Sequence, residues 1–143
     1  MLKKILKINT IIFFLATISI AEIIKDVKVS GNTRLSKESI IVFGQITLDT
    51  DYDQDSLNDV LKKIYESNFF KDVKLDINNS TLQIDVVENP IIEDIEINGI
   101  KSKKLNEVIL NKLSLISRKS YVETIFLSDL NMMKNIIKSS GYY

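Results

Sequence analysis

The chain has 143 residues, with 19 Lys+Arg, 19 Asp+Glu, no His and no Cys. Without imidazole or thiol it can build no Ser-His-Asp triad, no cysteine nucleophile, no thiolate metal site and no disulfide. At 45% hydrophobic and 27% charged the composition is globular. Lys3, Lys4 and Lys7 leave 16 basic against 19 acidic groups after residue 21, a balance unsuited to a nucleic-acid partner.

Residues 1–21 read as a secretory signal peptide. A basic head, Met1–Lys7, precedes a mostly apolar run from Ile8 to Ile20, and Ser19 and Ala21 supply small residues at the −3 and −1 positions of a cleavage site. The apolar run is shorter than the ~20 residues a spanning helix needs. The mature chain is expected to begin near Glu22.

The first folded unit is expected over 22–90. Ile23, Val27 and Val29 are spaced for one face of a strand that Ser30-Gly31-Asn32 ends. Ser36 can cap a short helix through Phe43, with Gly44 just past its end. Gln45–Tyr52 reads as a polar loop. Asp53 or Asp55 can cap a second helix reaching about Ser67, in which Leu57, Val60, Leu61, Ile64 and Tyr65 make one stripe. Val73, Leu75 and Ile77 then alternate with charged residues, Asn78-Asn79-Ser80 turns the chain, and Leu82, Ile84 and Val86 alternate again. The short turn makes these two strands an antiparallel hairpin, ended by Asn89-Pro90. Two helices on a three-stranded sheet give a two-layer α+β unit.

A second unit is expected over 91–143. Ile91, Ile95 and Ile97 repeat the pattern of the first strand, and Asn98-Gly99 repeats its break. A helix near Lys103–Leu113 carries Leu105, Val108, Ile109 and Leu113 on one side, and a longer one near Glu123–Ser139 carries Phe126, Leu130, Met133 and Ile137. Ser140-Gly141-Tyr142-Tyr143 matches Ser67-Asn68-Phe69-Phe70, after which the first copy has its hairpin. The second unit is therefore expected to be incomplete, lacking its C-terminal hairpin and burying its helices poorly.

No cofactor or metal is expected. Asp49, Asp51, Asp53 and Asp55 fail the EF-hand spacing in either register, because Gly at position 6 and Glu at position 12 are missing. Acidic residues ahead of a helix suit its N-terminal dipole. Gly31-Asn32 and Asn98-Gly99 read as turns, and one aromatic of Phe69-Phe70 as core. Lys101, Lys103 and Lys104 read as a solvated helix start. No carboxylate pair is placed for acid/base work, so an enzyme is not expected.

Val27-Lys28-Val29-Ser30-Gly31-Asn32, Ile64-Tyr65-Glu66-Ser67-Asn68-Phe69-Phe70-Lys71-Asp72-Val73 and Val86-Val87-Glu88-Asn89-Pro90 together resemble the first POTRA domain of BamA-type outer-membrane β-barrel assembly factors. Ile95-Glu96-Ile97-Asn98-Gly99, Arg118, Tyr121 and Ser140-Gly141-Tyr142-Tyr143 resemble the second. The resemblance implies tandem POTRA units of order strand-helix-helix-strand-strand on the periplasmic side of the outer membrane. It implies unfolded outer-membrane polypeptides as clients, accessory lipoproteins as partners, and a membrane barrel that this sequence does not contain. The alternatives are the POTRA region of a two-partner secretion transporter or of a translocation-assembly factor, or a cell-division scaffold.

The resemblance also makes the hairpin's first strand a sheet edge. Lys71, Asp72, Val73, Lys74, Leu75, Asp76 and Ile77 are accordingly the candidate polypeptide-binding residues. Their unpaired backbone groups could accept a client strand, with the groove toward the Leu57–Ile64 helix taking its side chains. Proline at Asp72, Lys74 or Asp76 would interrupt such pairing.

Overall fold

The computed structural model describes residues 22–141; the expected signal peptide and Tyr142-Tyr143 lie outside the described residues. The order is β1 (Glu22–Ile24), β2 (Asp26–Ser30), α1 (Lys37–Gly44), β3 (Thr50–Tyr52), α2 (Gln54–Glu66), β4 (Phe70–Asn78), β5 (Thr81–Glu88), α3 (Lys103–Leu110) and α4 (Glu123–Ser139).

The strands β2, β5 and β4 form one sheet in that spatial order. The central strand, β5, runs parallel to β2 and antiparallel to β4. Asn79 and Ser80, at φ 51° and 59°, make a two-residue turn with both residues left-handed, the type I′ geometry that matches the twist of a hairpin. Helices α1 and α2 cover one sheet face. Ile24, Val27, Ile40, Val60, Ile64, Val73, Leu82, Ile84 and Val86 fill the space between the layers.

The helices start where the sequence places caps. The Ser36 hydroxyl accepts the Ser39 N–H, and the Asp53 carboxylate accepts the Ser56 N–H at 2.8 Å. Between these two expected caps, Asp53 rather than Asp55 starts α2. Replacing Ser36 with alanine leaves the Ser39 N–H without that partner and should cost about 1 kcal/mol in urea unfolding. An unchanged midpoint would show that the cap contributes nothing. Gly44 lies inside α1, and the left-handed residue that ends this helix is Gln45, at φ 51°.

Three expectations are corrected. Ile23, expected to share a face with Val27 and Val29, is exposed, and Ile24 is buried instead. The strand breaks at Lys25: β1 pairs with β3, while β2 pairs with β5, so the alternation restarts between them. Consequently Gln45–Tyr52 is not wholly loop, because Thr50–Tyr52 is the strand β3 and carries the buried Tyr52. The third correction concerns Ile91–Ile97, where only a single bridge forms, Ile91 to Ser120. The repeat made this segment look like β2, but β2 is a strand because β5 lies beside it. Among the described residues no hairpin lies beside Ile91–Ile97.

After β5 the described chain consists of α3, α4 and the segments that lead into and between them. Ser102 caps α3 by accepting the Leu105 N–H, and Ile109 is fully buried. Asp129, a buried carboxylate on α4, accepts the N–H groups of Ser114 and Leu115 at 2.9–3.0 Å and fixes the turn after α3. Helix α3 stops at Leu110, short of the expected Leu113. An open apolar groove of about 350 Å³ is lined by Ile92, Ile95, Leu115, Phe126, Leu130 and Met133 among others.

Candidate polypeptide-binding edge

The residues Lys71–Ile77 lie within β4, at one edge of the sheet. Val73 is buried and Leu75 and Ile77 are half-buried against the core, while Lys74 and Asp76 face solvent. Beside the strand, between it and α2, runs a groove of about 590 Å³ lined by Gln54, Leu57, Asn58, Leu61 and residues 73–77. The stripe that packs α2 onto the sheet thus also gives the groove its apolar wall, through Leu57 and Leu61.

The turn fixes which backbone groups face outward. A two-residue hairpin begins its ladder with a hydrogen-bonded pair, here Asn78 with Thr81, and hydrogen-bonded and non-hydrogen-bonded pairs then alternate. Asp76 opposite Gln83 and Lys74 opposite Asp85 therefore bond inward to β5. The N–H and C=O groups of Ile77, Leu75 and Val73 point out of the sheet. Proline at Asp72, Lys74 or Asp76 would break the sheet rather than its open edge; the outward amides belong to the apolar residues between them.

Not all of this edge is open. The Val73 N–H donates to the Tyr65 hydroxyl at 3.0 Å and to Asp72 Oδ1 at 3.1 Å, and the Tyr65 hydroxyl in turn donates to Asp72 Oδ1 at 3.2 Å. Just beyond, the register shifts between Phe70 and Asp72, a bulge that turns the strand away from regular pairing. The opposite edge, β2, is five residues long, and its Val27 N–H is held by Asp26 Oδ1 at 2.8 Å. Leu75 and Ile77 are thus the two successive outward positions on β4 whose four backbone groups lie beside the groove.

The far end of the hairpin is anchored by Glu88. Its carboxylate accepts the backbone N–H groups of Thr33, Arg34 and Leu35 at 2.8–3.1 Å and the Arg34 Nε–H at 2.8 Å. Burial pushes this carboxyl up, but the three N–H groups and the guanidinium outweigh it and lower its pKa to about 2. The Arg34 guanidinium also donates to the Asn89 carbonyl, and the Asn89 side chain donates to the Asn68 carbonyl at 3.0 Å. Loop 31–35, the end of β5 and the start of β4 are thereby tied together. Phe70 is core, and Phe69 stacks on Phe43 with centroids 5.3 Å apart, so neither aromatic is free to meet a client.

This arrangement has relatives. The N-terminal domain of Omp85 from Thermosynechococcus elongatus superposes with a TM-score of 0.57 over 83% of this chain and 52% of that one, at 13% identity. POTRA1-2 of the periplasmic domain of Omp85 from Anabaena superposes with a TM-score of 0.54 over 85% of this chain and 81% of that one, at 11% identity.

The chain has the POTRA fold.

In sequence, 131 residues, 90% of the chain, align at 25% identity with the outer membrane protein assembly factor BamA of Neorickettsia risticii. The chain spans 17% of the length of that curated relative. No family model matches. The resemblance drawn from the POTRA motifs is supported from two sides, by a BamA sequence and by Omp85 POTRA structures. The motif residues have visible jobs in this fold. Gly31 makes the turn after β2, Glu88 anchors loop 33–35, and Tyr65 reaches from α2 to the edge strand.

Proposed function

We propose that this chain is a POTRA region of an outer-membrane protein assembly factor, on the periplasmic side of the membrane, and that β4 receives extended segments of unfolded outer-membrane polypeptides by strand addition. The observation that carries the reading is the open stretch Leu75–Ile77 beside the groove between β4 and α2, where Leu57 and Leu61 give apolar contacts and Gln54 and Asn58 polar ones. Backbone pairing tolerates many client sequences, and Leu57 and Leu61 in the groove offer contacts to apolar side chains at alternate client positions. Alternation of apolar and polar residues is the pattern of membrane barrel strands. The role is that of a scaffold without catalysis, and other faces are available for accessory lipoproteins.

A photo-crosslinking amino acid at Lys74, on the solvent face of β4, tests this in the full chain mixed with a urea-denatured outer-membrane barrel protein. Crosslinking is expected at Lys74 and to be several-fold weaker at Lys28, on β2. Equal yields at both positions, or none at Lys74, would overturn strand addition at this edge.

A further inference from the structure

We infer that Tyr65 and Asp72 form a register stop, which confines an added strand to Leu75 and Ile77 and so determines which client residues enter the groove. This inference rests on strand addition at β4 and adds a specificity-determining pair to it.

The hydrogen-bonding capacity of one backbone group carries the argument. Val73 is the third outward-facing residue of β4, and an added strand running past Leu75 would next pair with it. Its N–H is already shared between the Tyr65 hydroxyl, 3.0 Å away, and Asp72 Oδ1, 3.1 Å away. A client carbonyl would have to displace both acceptors, and the Tyr65 hydroxyl would lose its own place against Asp72 Oδ1. The tyrosine also occupies space. It projects from the last turn of α2 to the strand and places its hydroxyl on the outward N–H of Val73. The bulge between Phe70 and Asp72 removes the next regular pairing position. One half of the edge is thus closed by a side-chain lid and a kink, and the other half is open. A two-residue window with apolar wall at Leu57 and Leu61 admits two client side chains of the same strand face, separated by one polar residue that faces solvent. The class of ligand is a short amphipathic β-segment held in a single register.

The chain's lack of cysteine makes the register measurable. Asp76 is exposed, and a strand added antiparallel to β4 meets it in a non-hydrogen-bonded pair, where opposing side chains approach most closely. In full-length D76C, a ten-residue peptide alternating valine with threonine and lysine, carrying one cysteine stepped along its length, is oxidised against the chain. The expected result is disulfide formation concentrated at one peptide position. In D76C with Tyr65→Phe and Asp72→Ala, a second position two residues away should appear with comparable yield. Without peptide, the Val73 amide in this variant should exchange about tenfold faster, as expected for a lost hydrogen bond. Asp72→Ala alone, on the solvent face, covers the case in which the larger variant loses its fold, and should show the same second position at lower yield. A single unchanged position in folded variants would overturn the register stop while leaving strand addition in place. No peptide disulfide in D76C itself would overturn strand addition, and the register stop with it.

Discussion

Replacing Gly31 with alanine is expected to unfold the first unit or come close to it. Gly31 sits at φ 78°, and a Cβ built there lies 2.0 Å from the carbonyl oxygen of Val86. That oxygen belongs to the central strand, so it cannot retreat without pulling β5 away from its neighbours. Left-handed strain alone costs ~1–2 kcal/mol, and the overlap with fixed backbone should raise the loss to at least about 3 kcal/mol. Gly99 supplies the control. Its φ is 91°, yet nothing lies within 4 Å of a Cβ there, so Gly99→Ala should cost about 1 kcal/mol. Urea unfolding of the two variants side by side checks the contrast. Equal, small losses would mean that the strands shift to make room at Gly31.

The second large effect concerns Glu88 and acid. Its carboxyl is held at about 2 in the folded chain, against an ordinary value of 4.5. A carboxyl whose folded value is depressed stabilises the fold fully above its unfolded value. That stabilisation is lost as pH falls toward the folded value, so the window lies between about pH 4.5 and 2. The shift corresponds to roughly 3 kcal/mol at neutral pH. Glu88→Gln should be less stable than the native chain at neutral pH by an amount of that order. It removes the charge that three N–H groups and a guanidinium converge on, and places an amide donor against donors. Over the same acid window the variant should lose less stability than the native chain, because it lacks the Glu88 carboxyl; Glu38 and Asp53, also lowered by hydrogen bonds, still titrate in both proteins. Parallel pH profiles for the two proteins would show that Glu88 is not the group responsible.

Much of the fold could be read from spacing alone. The stripe Leu57, Val60, Leu61, Ile64 and Tyr65 and the alternation through Val73–Ile77 and Leu82–Val86 became α2, β4 and β5 because each element buries one face and the periods differ. What spacing missed depended on a partner elsewhere in the chain. Ile23 and Ile24 differ in burial because β1 leaves the main sheet for β3, and a three-residue strand such as Thr50–Tyr52 has too few residues to show a period. Ile91–Ile97 has the period of a strand and lacks one beside it. The edge residues themselves were placed by resemblance, but the direction of each amide required the two-residue turn at Asn79-Ser80. Tyr65 was read as one more apolar stripe residue. It is instead 38% exposed and outside the core, and its hydroxyl reaches the Val73 N–H.

The sheet order has a consequence for how the first unit comes into being. Its middle strand is the last in sequence, and its outer strands, β2 and β4, touch nothing of each other until Leu82–Val86 is inserted between them. A chain emerging from its N-terminus, from a ribosome or through a pore, can form the short β1–β3 pair but has no part of the main sheet to settle into. It keeps its apolar strands in waiting until residue 88 is out, when the same closing step brings Glu88 onto loop 33–35. Closure therefore joins segments 55 residues apart, a separation that favours slow, all-or-none formation. Nascent lengths stopping short of Leu82 should be fully open to protease, and a few residues more should change them abruptly into a resistant body.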